Sequence, residues 1–235
     1  RHPYLLAKTL ATLDRASGGR LDTGVGIGAY EPDYKNTGNE FKTRGRAYDE
    51  ALALMIRLWT EDNVTHQGEF YQLENVTLEP KPIQKPHPGL WFGGGVPRTW
   101  ERAARIGCGW GPWAPTLDHM REGMAAVRLA ADKEGRDLNG FRFICEAWCA
   151  VDDDVKKAES ALDPALSYFV EHHQMDIGME FMYTNSFIGP PEKIAARIQE
   201  WIDIGVDEFH FAFCPWETCK ESLRIIAEKV IPQFK

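Results

Sequence analysis

The sequence predicts an α/β fold built on a parallel sheet. Short apolar runs of strand length alternate along the chain with longer segments that have the apolar spacing of amphipathic helices. Five strands are predicted, each followed by at least one helix, and this alternation is typical of parallel strands joined by right-handed crossovers. Periodicity alone leaves two architectures open, a doubly wound sheet of five or six strands and part of an eight-stranded β/α barrel.

Each element has its own local signal. Residues 4–16 have helical apolar spacing and stop at Ser17-Gly18-Gly19, where glycine can take the positive φ of a helix end. Thr43 and Thr116 are predicted N-caps of later helices. The predicted strands are 20–28, 90–93, 108–113, 141–151 and 208–213. The predicted helices are 4–16, 44–59, 97–107, 116–134, 155–173, 191–204 and 217–230.

Two further stretches are not part of the strand and helix alternation. Gln67-Gly68 predicts the turn of a hairpin, and the four prolines of residues 79–89 predict an extended connector without ladder donors. Residues 175–190 are predicted to form a loop.

Composition narrows the class of protein. A chain of 235 residues, 43% hydrophobic and 11% aromatic, fits a single large domain over residues 1–235. The net charge of −8 and the absence of a basic run argue against nucleic acid and anionic membrane as partners. The five cysteines are odd in number and scattered, unlike a disulfide framework, and no export segment is visible, so a cytoplasmic protein with reduced thiols is predicted. Cys145 and Cys149 lack a second ligand pair, so no metal site is predicted.

The stretch "WFGGGVPRTW", residues 91–100, contains three glycines before a helix that opens on Pro97. Each glycine costs about 0.5–1 kcal/mol relative to alanine, so the triplet requires a use for bare backbone. The helix has no Ser, Thr, Asp or Asn at its cap position, and Arg98 is a cation in its first turn. A phosphate bound by the N–H groups of Gly94, Gly95 and Val96, beside Arg98, would cap the helix and offset the charge of Arg98. The alternative is that the glycines allow the helix to pack closely on the strand.

A second glycine loop, "GVGIGAY" at residues 24–30, has the spacing G-x-G-x-G and no helix is predicted within several residues of it. It is therefore a weak match to a dinucleotide-binding fingerprint. Glycines at alternate positions of a strand instead favour a flat ligand lying against its end.

Several motifs in one collinear order resemble the luciferase-like flavin monooxygenase family, especially its branch related to deazaflavin-dependent oxidoreductases. The motifs are "HPYLLAKTLATLDRASGGRLDTGVGIGAY", "FKTR" followed by "EALALMIRLW", "GEFY", "EPKPIQKPHPGLWFGGG", "AARIGCGW" and "GPPEKIAARIQEWIDIGVDEFHFAF". The resemblance covers nearly the whole chain. It implies a (β/α)8 TIM barrel that binds FMN or the deazaflavin coenzyme F420 at the carboxyl ends of its strands, usually as a homodimer.

The resemblance also implies where the cofactor lies. Gly93 and Gly94, with Gly95 beside them, correspond to the family's phosphate-contacting glycines. Val25, Gly26 and Ile27 would lie against the flavin or deazaflavin ring, and Gly109 with Trp110 would border it. Some FMN-using members have an arginine at the position of Ile27, so its absence here weakens the assignment of FMN and leaves F420 open.

The front of the chain departs from the family pattern. "RHP" resembles the end of the family's third strand, so this chain is expected to cover about the last five β/α units and to lack the first strands. Because substrate-contacting residues of several members lie in those units, the catalytic group is expected to fall outside this sequence.

Two groups of side chains are candidates for contact with substrate. Tyr30, Trp113 and Trp216 follow strands, and in a barrel such loops converge on the catalytic face, where aromatic rings can form the wall of an apolar pocket. Glu146 and His210 lie on the strand face opposite Phe143 and Phe211 and are weak candidates for a catalytic proton-handling pair; a structural polar pair is the alternative.

The predicted function is an oxidoreductase or monooxygenase that uses reduced FMN or F420 on a small organic substrate. The cofactor supplies the chemistry in such enzymes, which accounts for the scarcity of titratable candidates. A flavin-binding protein of the same fold without catalysis is the alternative, and a chain that binds nothing is the third.

Overall fold

The structure is a computed structural model that describes residues 1–172, 178–213 and 216–234, without the side chains of residues 172 and 216–218. The chain divides into two compact units, Arg1–Trp91 and Phe92–Lys235. A single domain over 1–235 stays a prediction. The helices are α1 (Pro3–Ala16), α2 (Glu31–Asn36), α3 (Arg44–Thr60), α4 (Pro97–Ile106), α5 (Leu117–Lys133), α6 (Val155–His172), α7 (Met179–Thr184), α8 (Pro191–Asp203) and α9 (Trp216–Ile225). The strands are β1 (Asp22–Val25), β2 (Val64–Gln67), β3 (Gln72–Val76), β4 (Gly89–Gly93), β5 (Gly109–Gly111), β6 (Arg142–Val151), β7 (Phe187–Gly189) and β8 (Glu208–Ala212).

The first unit has its core between α1 and α3. Helix α1 begins at Pro3, whose fixed φ suits the first helical position, and buries its alanine and leucine face. Helix α3 buries Met55, Leu58 and Trp59. The Trp59 indole N–H donates to the Ala7 carbonyl at 2.9 Å, so the pair of helices is fixed by a buried hydrogen bond as well as by apolar contact.

The proline-rich connector is fixed to α1 by a buried carboxylate. Asp14 is fully buried and accepts hydrogen bonds from the N–H groups of Ile83 at 2.6 Å and Gln84 at 3.0 Å. Burial alone would raise the pKa of Asp14, but the hydrogen bonds from Gln84 and Ile83 outweigh it and hold the pKa below its usual value. The connector therefore depends on an ionised Asp14.

A second carboxylate fixes the β2–β3 hairpin, whose strands are antiparallel as predicted. Glu50 of α3 accepts from the N–H groups of Phe70 and Tyr71 and lies 3.0 Å from His66 Nε2. Burial would raise the pKa of Glu50, yet these hydrogen bonds lower it overall. A side chain at Gly68 would overlap the Glu50 carboxylate, so the turn requires glycine here.

The second unit is a sheet with helices after each strand. Strand β6 is paired in parallel with β5, with β8 over residues 144–148 and with β7 over residues 149–151. β4 is the sheet neighbour of β5. Among the described strands of this unit, β4, β5, β6 and β8 neighbour one another in chain order, and the three-residue β7 also pairs with β6. The reversal of order that a doubly wound sheet requires does not occur among them, so that alternative is wrong.

Three local predictions were wrong. Thr43 occupies the N-cap position of α3 but makes no cap bond, because a 3₁₀ turn over Phe41–Thr43 precedes the helix and the Thr43 hydroxyl donates to the Glu40 carbonyl. The predicted loop 175–190 contains α7 and β7. A helix, α2, does follow the first glycine loop closely, beginning at Glu31.

Candidate functional site

The loop after β4 uses its glycines in different ways. Gly94 has φ +103°, a conformation that disfavours any other residue. Gly95 has an ordinary φ, but a Cβ there would overlap Nε2 of His119 and lie 3.1 Å from its Cε1. Gly93 has open space, with only the Gly111 carbonyl oxygen near its Cβ position at 3.8 Å. The triplet is thus required by one backbone conformation and by one close side-chain contact.

The loop leads into an uncapped helix, as predicted. Val96 is the N-cap residue of α4, with φ −117° and ψ 153°, and it makes no side-chain cap hydrogen bond. Arg98 pairs with Glu101 at 3.1 Å, and both side chains are more than half exposed. Such exposed pairs contribute about 0–1 kcal/mol.

Trp110 fixes the loop after β4 by a hydrogen bond from its side chain. Its side chain is fully buried, and its indole N–H donates to the Gly94 carbonyl at 2.8 Å. A Cβ at Gly123 of α5 would overlap the ring, and Trp100 and Phe143 each meet it edge to face. Because the ring is enclosed, the part that Trp110 can take in the predicted site is to orient the Gly94–Gly95 peptide. Gly109 is buried beside it and pairs with Arg142.

His119 is a site residue that sequence reasoning missed. It lies in the first turn of α5, where its N–H donates to the Thr116 hydroxyl at 3.1 Å, the cap that was predicted. Its ring packs against Trp100 with centroids 5.8 Å apart. A histidine three residues after a predicted cap that follows a strand was the available signal, because such first turns lie at the carboxyl edge of the sheet.

The first unit presents its own glycine loop at the end of β1. Gly24 and Gly26 lie on an exposed face, and a Cβ at either would have no atom within 4 Å. Val25 and Ile27 alternate with them and are half-buried. The Tyr34 hydroxyl donates to the Ile27 carbonyl, which fixes the loop as it turns away from the strand. This bare face is the surface on which a flat ring was predicted to lie.

The predicted pocket aromatics have different surroundings. Tyr30 is exposed at the start of α2. Trp113 stacks on Phe169 with centroids 4.3 Å apart and meets Trp148 edge to face at 6.2 Å. Trp216 begins α9, and its side chain lies outside the described residues. Trp113 thus belongs to an aromatic cluster with Phe169 and Trp148 in the second unit.

Glu146 and His210 meet on the sheet as predicted. They are register partners, with His210 Nδ1 3.6 Å from Glu146 Oε1. His210 Nε2 is closer to Glu208, at 2.7 Å, and Glu208 also pairs with Arg142 at 2.8 Å. The pair is therefore part of a chain of four polar side chains, Glu146, His210, Glu208 and Arg142, and a catalytic role for it stays a prediction.

The sequence profile of the family described as "Luciferase-like monooxygenase" matches residues 1–178. The chain belongs to the luciferase-like monooxygenase family. An FMNH(2)-dependent dimethylsulfone monooxygenase of Pseudomonas putida is 28% identical, over 98% of this chain and 70% of that protein. The oxygenase component of a flavin-dependent trigonelline monooxygenase of Acinetobacter baylyi is 24% identical, over 99% of this chain and 73% of that protein.

Solved structures agree on the fold of this luciferase-like chain. The monooxygenase RslO1 from Streptomyces bottropensis has a TM-score of 0.87 and 24% identity, with 100% of this chain and 75% of that chain covered. An F420-dependent secondary alcohol dehydrogenase in complex with an F420-acetone adduct has a TM-score of 0.86 and 22% identity, with 99% and 75% covered. The predicted family and fold class are confirmed, as is the prediction of a flavin- or F420-dependent oxidoreductase or monooxygenase.

The residues of this luciferase-like chain fit a phosphate-bearing cofactor. In the part of the chain that the structure describes, the N–H groups of Gly95 and Val96 donate no hydrogen bond. His119 lies against Gly95, and Arg98 follows Val96 by two residues in the chain, so main-chain N–H groups, a cation and an imidazole are found at or next to one loop. This donor set suits a phosphate.

The described residues give less support to a metal site or to a nucleophilic cysteine. No group of three or more His, Cys, Asp or Glu side chains there is placed to hold a metal ion. Cys108, Cys145, Cys149 and Cys219 form no disulfide, and Cys214 lies outside the described residues. Burial raises the pKa of Cys145 to about 12, so this thiol is not a nucleophile near neutral pH. None of the described helices is long and apolar enough to span a membrane.

Proposed function

We propose that this chain binds reduced FMN and oxygenates a small organic substrate. The observation that carries the proposal is the loop after β4, whose unpartnered N–H groups at Gly95 and Val96 precede an uncapped helix in a chain of the luciferase-like family. Its sequence relatives include an FMNH(2)-dependent and a flavin-dependent monooxygenase. When bound, reduced FMN supplies two electrons: one oxygen atom of O₂ enters the substrate and the other becomes water.

In this proposal the residues of the chain bind the cofactor, orient it and keep water away from it. Gly93 to Val96 and Arg98 hold the phosphate in this proposal. Val25, Gly26 and Ile27 support the ring on the bare face at the end of β1, where the open space at Gly24 and Gly26 admits a flat group. Trp110 fixes the phosphate loop through the Gly94 carbonyl. No titratable group is needed for electron transfer.

The substrate meets aromatic rings in this proposal. Trp113 is held by its stack on Phe169 and by Trp148, so it offers a rigid apolar surface and keeps water away. For Tyr30 and Trp216, contact with the substrate rests on the sequence prediction alone. Small compounds of the kinds named for the two relatives, dimethylsulfone and trigonelline, are the first substrates to try.

The assembly and location are also proposals. A homodimer rests on the resemblance to the family, and a cytoplasmic location rests on the scattered, odd set of cysteines. Small molecules are the only partners proposed.

A second candidate function is hydride transfer with F420. Two observations favour it: Ile27 stands where some FMN-using members have arginine, and an F420-dependent dehydrogenase shares the fold at a TM-score of 0.86. In that case the reduced coenzyme gives its hydride to the substrate without oxygen.

The test is incubation of the protein with reduced FMN, ¹⁸O₂ and each substrate, followed by mass spectrometry of the product. We expect one ¹⁸O atom per product molecule. Product formed without oxygen by reduced F420 supports the second candidate and contradicts the first. Flavin binding with no product from any substrate tried supports the non-catalytic flavin-binding alternative.

A further inference from the structure

His119 is placed on the phosphate loop by the structure rather than by any motif. Its Nε2 occupies the space that a side chain at Gly95 would need, so the imidazole contacts bare backbone. Thr116 fixes the first turn of α5 at 3.1 Å from the His119 N–H, and Trp100 packs against the ring. The cap bond to the His119 main chain and the contact of its ring with Trp100 therefore hold the imidazole against Gly95.

The Gly94–Gly95 peptide has a fixed orientation beside that imidazole. Its carbonyl accepts the Trp110 indole N–H at 2.8 Å. In a trans peptide the C=O and the following N–H point in opposite directions, so the Gly95 N–H points away from buried Trp110. This bond is trans, because the two cis bonds of the described chain precede prolines.

The nitrogens of His119 are available to a ligand. Within the residues described here, its ring takes part in the contact with Trp100 and in no hydrogen bond or ion pair. A neutral imidazole carries one N–H donor and a protonated one carries two, so either form can donate to a phosphate oxygen. An unpartnered imidazole next to an unpartnered main-chain N–H is a donor pair of the kind that anions occupy.

We propose that His119 is a phosphate-binding residue of the cofactor site, acting together with the Gly95 N–H that Trp110 orients. The proposal rests on the proposed function, because the phosphate is that of FMN. It also explains Gly95: a residue with an ordinary φ is kept as glycine so that the imidazole can approach the loop.

The experiment compares FMN with riboflavin, which lacks the phosphate, by fluorescence titration of the protein. His119→Phe keeps an aromatic ring against Trp100 but removes the nitrogens. We expect it to weaken FMN binding about 10-fold to 100-fold, the range for one charge-assisted hydrogen bond, and to change riboflavin binding less than about two-fold. His119→Gln retains an N–H donor and is expected to fall between His119→Phe and the unchanged protein.

Arg121→Gln is the matched control. Arg121 lies on the same helix, exposed and paired with Asp118 at 3.1 Å, so its removal alters the local charge without touching the loop. We expect it to change neither affinity by more than about two-fold. A comparable effect of Arg121→Gln on FMN would mean that general charge, not His119, sets affinity.

Two results would overturn the assignment of His119. FMN affinity that is unchanged in both His119 variants removes the phosphate contact, and an equal loss for FMN and riboflavin means that His119 only shapes the loop. The unchanged protein distinguishes these failures from that of the proposed function: if it binds neither FMN nor riboflavin, the flavin assignment itself is wrong.

Discussion

Gly95→Ala tests the contact between the glycine loop and His119 by filling the space between them. The ordinary φ of Gly95 is compatible with alanine, so the backbone itself does not resist the change. The new Cβ would overlap His119 Nε2 and lie 3.1 Å from Cε1 and 3.3 Å from Cδ2. The perturbation is therefore steric and local to one ring.

The expected magnitude is the difference between two effects. Glycine to alanine at a compatible position stabilises by about 0.4–1 kcal/mol through the unfolded chain. Overpacking costs about 1–3 kcal/mol, and the imidazole can relieve part of it by rotating away from the loop. We expect a net loss of about 1–2 kcal/mol in the free energy of unfolding.

The assay is urea unfolding of Gly95→Ala in the natural background and in a His119→Ala background. With the imidazole gone, the same substitution should become stabilising by about 0.4–1 kcal/mol, so its sign reverses. Equal effects of Gly95→Ala in the two backgrounds would refute the reasoning, because the clash would then lie elsewhere.

Three further predictions concern other parts of the chain. Gly123→Ala should destabilise by about 2–3 kcal/mol, because its Cβ would overlap the fully buried Trp110 ring; an unchanged melting temperature contradicts this. The stabilisation from Asp14, whose pKa is lowered in the fold, should be present above the unfolded pKa of about 3.9 and be lost as pH falls through the lower folded value. Asp14→Asn should therefore be least stable relative to the unchanged protein near neutral pH, and a stability difference that stays constant between about pH 2 and about pH 7 in unfolding experiments would contradict it. Cys149, buried and with a raised pKa, should react with iodoacetamide far more slowly in the native than in the unfolded protein; equal rates by mass spectrometry would contradict its burial.

The long helices could be predicted from the sequence because their apolar residues recur with a regular period. Helix α1 and helix α5 agree with their predicted bounds within a residue or two. Short elements such as α2 and α7, of six residues each, have too few turns for periodicity to appear. β7 has three residues and is defined by its pairing with β6, a contact between distant positions.

The candidate site was predictable only where it is local in sequence. The glycine triplet and the missing cap before α4 are visible in consecutive residues. The approach of His119 to Gly95 joins two different β/α units, and no periodicity encodes it. Trp110 was predicted at the cofactor from the resemblance to the family, whereas its burial depends on the absence of a side chain at Gly123.

The central claim, that reduced FMN binds this chain through its phosphate on the loop after β4, is tested most directly by anaerobic calorimetric titration. We expect reduced FMN to bind one per chain, and Gly94→Val, which places a branched residue at φ +103°, to abolish most of that binding. Circular dichroism of the variant serves as the check that its fold persists. Reduced FMN that fails to bind the unchanged protein, or that binds a folded Gly94→Val variant with the same affinity, would contradict the claim.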